Sequence, residues 1–191
     1  MTPEQIRRRM IRQRRDVPQT LLRDTSTAIA RSLWQLPVLR RARRIAAYQA
    51  FGGEIDCAPL IEQARAAGRE LFLPTLHRGA LRFAPFTPDG SLTKNRFGIE
   101  EPAIALAHQR AGLFLDVVLT PLVAFDLSGN RLGMGGGYYD RSFAFRRQQH
   151  AWRRPLLIGL AHEFQLIETL HAEAWDIPLD IAVTETRVYT F

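Results

Sequence analysis

The sequence predicts a single α/β domain over residues 1–191, with a central, mostly parallel sheet flanked by helices; an N-terminal helical segment covers 1–37 and the α/β core 44–191. Three observations carry this expectation. Beyond Arg44, short apolar runs alternate with helical stretches, which is how βαβ units read in sequence. A length of 191 residues suits one core. No internal repeat, low-complexity tract or linker divides the chain.

The N-terminal segment reads as two helices. Thr2 can cap the first, Pro3 suits its first turn, and no β-branched run interrupts the stretch from Glu4 to Arg15. Leu21, Leu22, Ile29, Leu33 and Leu36 then recur at roughly helical spacing until Pro37 stops the pattern. Residues 45–51 are the first expected strand. Gly52 and Gly53 turn the chain, Asp56 can cap a helix through Leu60, Ile61 and Ala64, and Gly68 stands where a left-handed helix terminus is wanted. Residues 71–74 and 81–86 read as the next strands, the latter ended by the turn sequence Thr87-Pro88-Asp89-Gly90. Residues 115–120, rich in β-branched side chains and closed by Pro121, read as a central buried strand, and 155–160 as another. Between these two lies 121–141, dense in glycine and charge; in open α/β sheets such loops leave the carboxyl ends of strands and carry function.

A hydrophobic content of 46% supports a globular core, while a net charge of +7 and a pI near 10.6 imply a field that attracts anions. Lys94 is the only lysine, so a phosphate clamp here must use forked guanidinium groups. Cys57, the only cysteine, excludes an intramolecular disulfide and a CxxC metal or redox framework. No run approaches the roughly 18 apolar residues of a membrane span, and no apolar stretch behind the N-terminal arginines serves as a signal, so a cytoplasmic location is expected.

The strongest local signal is Arg131-Leu132-Gly133-Met134-Gly135-Gly136-Gly137-Tyr138-Tyr139-Asp140-Arg141, followed by an expected helix through Phe143 and Phe145. Glycines let consecutive backbone N–H groups curl into an anion-binding nest. Tyr138 stands where a dinucleotide fingerprint needs glycine, and Tyr138-Tyr139 replace the Lys-Ser/Thr of a P-loop, so neither standard motif fits. A plain surface turn is the competing reading, which the flanking Arg131 and Arg141 weigh against. Asp140 suits either a helix first turn or a magnesium ion on nucleotide phosphates. Arg8 and Arg12, one turn apart, can converge on one anion, or simply form a solvated face or a nucleic-acid contact. Five histidines, His77, His108, His150, His162 and His171, show no metal-binding spacing. Glu54 follows the first strand, where ligand-binding groups gather, though a capping role is the default; Asp176 is ambiguous alone.

The run Asp116-Val117-Val118-Leu119-Thr120-Pro121-Leu122-Val123-Ala124-Phe125-Asp126, continuing from Gly129 through Arg141, closely resembles the signature of 5-formyltetrahydrofolate cyclo-ligases, also called methenyltetrahydrofolate synthetases. The resemblance extends in order to the N-terminal basic helix, Glu54-Ile55-Asp56, Leu73-Pro74, residues 95–102, Trp175-Asp176-Ile177-Pro178-Leu179 and Thr184. It implies ATP-dependent cyclisation of 5-formyltetrahydrofolate to 5,10-methenyltetrahydrofolate by a monomer needing neither nucleic acid nor membrane. It further implies that Arg8, Arg12, Arg131, Gly133, Met134, Gly135, Gly136, Gly137, Tyr138 and Tyr139 bind ATP. Arg131 and Tyr139 would be catalytic, Asp140 and Asp176 would hold Mg2+, and Glu54, Gln49, Phe97 and Tyr139 would contact the folate, with or without a polyglutamate tail. Arg8 stands where the family commonly has lysine, and Phe97 where some members carry tryptophan. A basic nucleic-acid-binding module and a sugar-phosphate isomerase-like enzyme are the alternatives.

Overall fold

The computed structural model describes residues 1–148 and 154–191. The chain opens with α1 (Pro3–Arg15), whose start is fixed by a capping box: the Gln5 amide donates to Thr2 Oγ1 at 3.3 Å and the Thr2 amide to Gln5 Oε1 at 2.7 Å. Then come α2 (Gln19–Gln35) and a short α3 (Pro37–Arg41), so that Pro37 both ends one helix and begins the next. The core follows as β1 (Arg44–Ala46), α4 (Ala58–Ala66), β2 (Glu70–His77) and β3 (Ala80–Pro85). A hairpin of β4 (Leu92–Lys94) and β5 (Glu100–Pro102) precedes β6 (Val117–Pro121), and a second hairpin of β7 (Ala124–Phe125) and β8 (Arg131–Leu132) leads into α5 (Tyr138–Ser142). The chain closes with β9 (Leu156–Leu160), β10 (Ile181–Val183) and β11 (Val188–Thr190).

The main sheet has the order β11-β10-β9-β6-β1-β2-β3. Its inner strands are parallel, and the two edges, β3 and β11, run antiparallel to their neighbours. Counted in chain order, the parallel strands stand 2-1-3-4-5, so the connection reverses direction between β1 and β6. In such sheets a crevice opens outside the carboxyl ends of the two strands at the reversal.

Side-chain alternation builds two layers of core. Val117, Leu119, Ile158 and Leu160 face α2 and α4, packing on Ile29, Leu33 and Leu60. Val118 and Leu157 face the other way, against Phe83, Phe125 and Phe143. A third cluster docks α1 through Ile6 and Met10 onto Val123, Ala124 and Leu170. Gly159 is a packing requirement: a Cβ there would lie 2.6 Å from Leu179 and 2.7 Å from Leu122.

The fold class, the N-terminal helices and the buried strands stand where the sequence puts them, with differences of extent. Of the first expected strand, 45–51, only 45–46 lie in β1, and after the Ala47 amide bonds the Phe72 carbonyl the chain bends away toward Gly52 and Gly53, both left-handed at φ 60° and 79°. The α4 helix is capped one residue later than expected, at Cys57, while the Asp56 carboxylate accepts the Ala58 amide at 2.9 Å. Its end is the expected one, a Schellman turn with Gly68 at φ 68° and the Arg69 amide on the Ala64 carbonyl. The helix after the glycine run is short: α5 ends before Phe143, and a 3-10 turn, Ala144–Gln148, continues.

Candidate active site

A cleft of about 1130 Å³ opens at the carboxyl ends of β1 and β6, the crevice that the strand order calls for. Its volume exceeds the range of a typical single-ligand pocket, roughly 300–1,000 Å³. One wall is the segment after β1, with Tyr48, Gln49 and Glu54; another is the β4–β5 hairpin, with Asn95 and Phe97. α1 contributes Arg7, Ile11 and Arg14, and the far wall is the bend between β8 and α5, with Trp175 and Asp176 beside it.

That bend is held by its flanks. Buried Asp126 accepts the amides of Ser128, Asn130 and Leu170 and the Asn130 side-chain amide, which fixes the β7–β8 hairpin that aims Arg131. Arg7 Nε donates to the Gly133 carbonyl at 2.8 Å, and Arg141 Nη2 donates to the Gly136 carbonyl at 2.6 Å. Cations therefore take carbonyls of the bend. Its amides are left over: among the described residues, no backbone N–H of 133–137 donates a hydrogen bond. Glycine is required here, since Gly135 and Gly137 have φ 92° and 64°, and a Cβ on Gly137 would lie 2.6 Å from Arg141 Nη1. Consecutive unpaired amides facing a cleft form a cradle for an anion.

Arg131 lies under this cradle, its side chain 5% exposed, with Nη2 on Asp140 Oδ1 at 2.6 Å. Burial lowers its pKa against the pull of Asp140, and the delocalised guanidinium keeps its charge. Arg131 Nη1 sits beside Gly133, 3.7 Å from where a Cβ would stand, and donates no hydrogen bond among the described residues. Tyr139 lies within 5.5 Å of the same guanidinium, and burial pushes its phenol up, so it stays protonated. Asp140 also accepts the Ile177 amide, and Asp176 accepts the Glu173 amide. Each of these carboxylates keeps one oxygen without a hydrogen-bond partner among the described residues. Two carboxylates with free oxygens beside an anion cradle fit the modest protein share of a magnesium site, which completes its shell with water and phosphate. No group of three or more His, Cys, Asp or Glu able to hold a metal exists among the described residues, and His150 lies outside them.

On the β1 side, Glu54 Oε1 faces Arg14 Nη1 at 3.4 Å and Oε2 accepts the Phe51 amide at 3.1 Å. Burial raises its pKa, with Arg14 pulling it down. Gln49 is half-buried at the cleft wall, and Phe97 is exposed there, edge-on to Tyr138 at 6.1 Å. Arg96, unmarked in the sequence reading, lies over the Phe97 ring at 4.9 Å and hydrogen-bonds the Tyr138 hydroxyl, linking the hairpin to α5.

Arg8 and Arg12 are not brought into this arrangement. Both are exposed and neither lines the cleft; Arg7 and Arg14 do so in their place. The reason is helical phase: Ile6 and Met10 face the core, and Arg8 and Arg12 lie about 200° round from them. That apolar phase was the available signal.

The sequence pattern of the 5-formyltetrahydrofolate cyclo-ligase family matches residues 2–185. The chain is 42% identical over 185 residues to the 5-formyltetrahydrofolate cyclo-ligase of Escherichia coli K12, covering 94% of this chain and 99% of that protein. It is 41% identical over 148 residues to the Haemophilus influenzae protein of the same name, covering 75% and 77%. The solved structure of Aquifex aeolicus 5,10-methenyltetrahydrofolate synthetase superposes with a TM-score of 0.83 at 31% identity, over 100% of this chain and 93% of that one. The Mycoplasma pneumoniae 5,10-methenyltetrahydrofolate synthetase superposes with a TM-score of 0.74 at 21% identity, over 97% and 99%, a likeness of fold.

Proposed function

This chain belongs to the 5-formyltetrahydrofolate cyclo-ligase family and is an enzyme of that kind, and from that premise we propose that it closes 5-formyltetrahydrofolate to 5,10-methenyltetrahydrofolate using ATP. The observation that carries the ATP reading is the row of unpaired amides at 133–137 above Arg131, inside a cleft with room for two ligands.

In this reading the nucleotide's phosphates lie against the amides of Gly133, Met134, Gly135, Gly136 and Gly137. Arg131 Nη1 reaches the terminal phosphate, and Tyr138 and Tyr139 border it. Phosphoryl transfer depends chiefly on positioning and charge neutralisation, which fixed amides and a guanidinium provide without reorganisation. Asp140 and Asp176 would hold Mg2+, which supplies charge neutralisation at the phosphates when bound. Glu54, Gln49, Phe97 and Tyr139 contact the folate, placing its N5-formyl oxygen toward the terminal phosphate.

The chemistry then balances in two steps. The formyl oxygen takes the terminal phosphoryl group, releasing ADP and converting a poor leaving oxygen into a phosphate ester. N10 attacks the activated carbon and loses its proton, the carbon–oxygen bond breaks, and inorganic phosphate departs as the methenyl bridge forms. No covalent enzyme intermediate is needed. Folate wall and phosphate cradle on opposite sides of one cleft suit this order, since the two reacting groups must meet with water excluded.

The test is spectroscopic. Purified protein mixed with 5-formyltetrahydrofolate, ATP and magnesium should develop the methenyl chromophore with release of one phosphate per product. Chromophore formation at the same rate without nucleotide would refute the ATP reading, and none under any condition would refute the cyclisation.

A further inference from the structure

Glu54 lies in a part of the cleft where, its partner Arg14 apart, the titratable groups packed around it are neutral. From its own segment come the Tyr48 phenol, bonded to the Ile55 carbonyl at 2.8 Å, and the Cys57 thiol. From α5 comes the Tyr139 phenol, and from the segment after β9 the His162 imidazole, whose Nε2 meets the Gly53 carbonyl at 3.3 Å. Burial pushes both phenols up and the thiol up to about 12, and it lowers His162, so all four are neutral near pH 7. Among the described residues, the one cation paired with Glu54 is Arg14.

Arg14 stands in the last turn of α1 with its side chain 3% exposed, and a buried arginine needs a reason. Its Nη1 lies 3.4 Å from Glu54 Oε1 and 3.2 Å from the Leu122 carbonyl, so one guanidinium touches the segments leaving both β1 and β6. The β1 side is fitted to it: a Cβ on Gly53 would stand 2.5 Å from the Arg14 carbonyl oxygen. The β6 side is fitted as well, since buried Gln165 donates to the same Leu122 carbonyl at 3.0 Å. The contact with Glu54 is long beside the 2.6 Å of Arg131 and Asp140. Glu54 Oε2 accepts one amide, so its carboxylate keeps lone pairs for a ligand.

We propose that Arg14 is a positioning residue for the folate step, holding the Glu54 carboxylate as an anion aimed into the cleft from the strand-order reversal. A substrate offering adjacent N–H donors, as the aminopyrimidinone edge of a pterin does, then meets a fixed, ionised acceptor. The inference rests on the reading of Glu54 as a folate contact. The competing role, a mere anchor for α1, makes different predictions.

The experiment is steady-state kinetics from pH 5 to 9 on the wild type, Arg14→Met, Arg14→Lys, Glu54→Gln and the Arg14→Met/Glu54→Gln double variant. Without the cation, only the Phe51 amide opposes burial at Glu54, so its carboxyl titrates higher. Arg14→Met should raise KM for 5-formyltetrahydrofolate about tenfold and move the acid limb of kcat/KM up by about one pH unit. KM for ATP should stay within about twofold, while Arg14→Lys should keep the limb in place. The double variant should lose no more than Glu54→Gln alone, because the two residues act as one unit. If losing the Leu122 bond unfolds Arg14→Met, Arg14→Gln keeps a donor without the charge and should show the same shift. An unmoved acid limb, equal changes in KM for both substrates, or fully additive losses in the double variant would overturn the proposal. A Glu54→Gln enzyme with unchanged folate KM would instead remove the reading of Glu54 itself.

Discussion

Two arginine–aspartate pairs, Arg131–Asp140 and Arg146–Asp180, have nearly the same burial. Arg131 meets Asp140 at 2.6 Å beside the cleft, and Arg146 meets both oxygens of Asp180 at 2.7 Å away from it, the arginine side chains 5% and 4% exposed. Asp180 also accepts the Leu157 amide and returns its own amide to the Leu157 carbonyl, clamping the turn after α5 to β9. Its bonding capacity is spent on the fold. Around Arg131 the opposite holds: Nη1, one Asp140 oxygen and the amides of 133–137 have no partners among the described residues, whereas a buried Nε without a partner is common to both arginines. Burial and charge pairing are alike in both; what marks the cleft pair is unspent hydrogen bonding among residues that line the cleft.

The sharpest way to break this comparison is to delete each arginine. Arg131→Ala is expected to lower kcat by roughly 10²–10³-fold, the loss seen when a preorganised charge-stabilising donor is removed, while the melting curve shows a largely intact fold. Arg146→Ala should do the reverse, costing about 3–5 kcal/mol in denaturant unfolding by stranding Asp180, with turnover per folded molecule unchanged. Equal activity losses in the two variants would dissolve the distinction.

Smaller effects sharpen it. Gly137→Ala forces a left-handed residue at a cost of about 1–2 kcal/mol and displaces Arg141, so KM for ATP should rise about tenfold with folate KM little changed. Glu54→Gln should raise folate KM by a similar factor and spare ATP, which initial-rate measurements separate. Arg8→Ala and Arg12→Ala, on the outer face of α1, should each change either constant by less than about twofold.

Much of the fold was legible because the strands at its centre are local signals. Residues 117–121 carry a β-branched run stopped by a proline, and Gly68 announces the end of α4. Strand ends were less legible, since 47–51 is apolar enough for a strand yet bends away to form the cleft wall. β10 and β11 have three residues each, too few for periodicity to register, and they exist by pairing with β9 and with one another. The glycine bend announced itself as a cluster, but Arg14 did not. It is one arginine among several in α1, and its partners Glu54 and Leu122 lie 40 and 108 residues away in sequence. Helical phase separates Arg7 and Arg14 from Arg8 and Arg12, and the burial of Ile6 and Met10 fixes that phase.

The claim on which the rest depends is that the unpaired amides of 133–137 receive a nucleotide's phosphates. A crystal structure of the protein with magnesium, a non-hydrolysable ATP analogue and 5-formyltetrahydrofolate tests it most directly. The triphosphate is expected within hydrogen-bond distance of those amides and of Arg131 Nη1, with the formyl oxygen facing the terminal phosphate. A triphosphate bound elsewhere, with the bend empty, would contradict it.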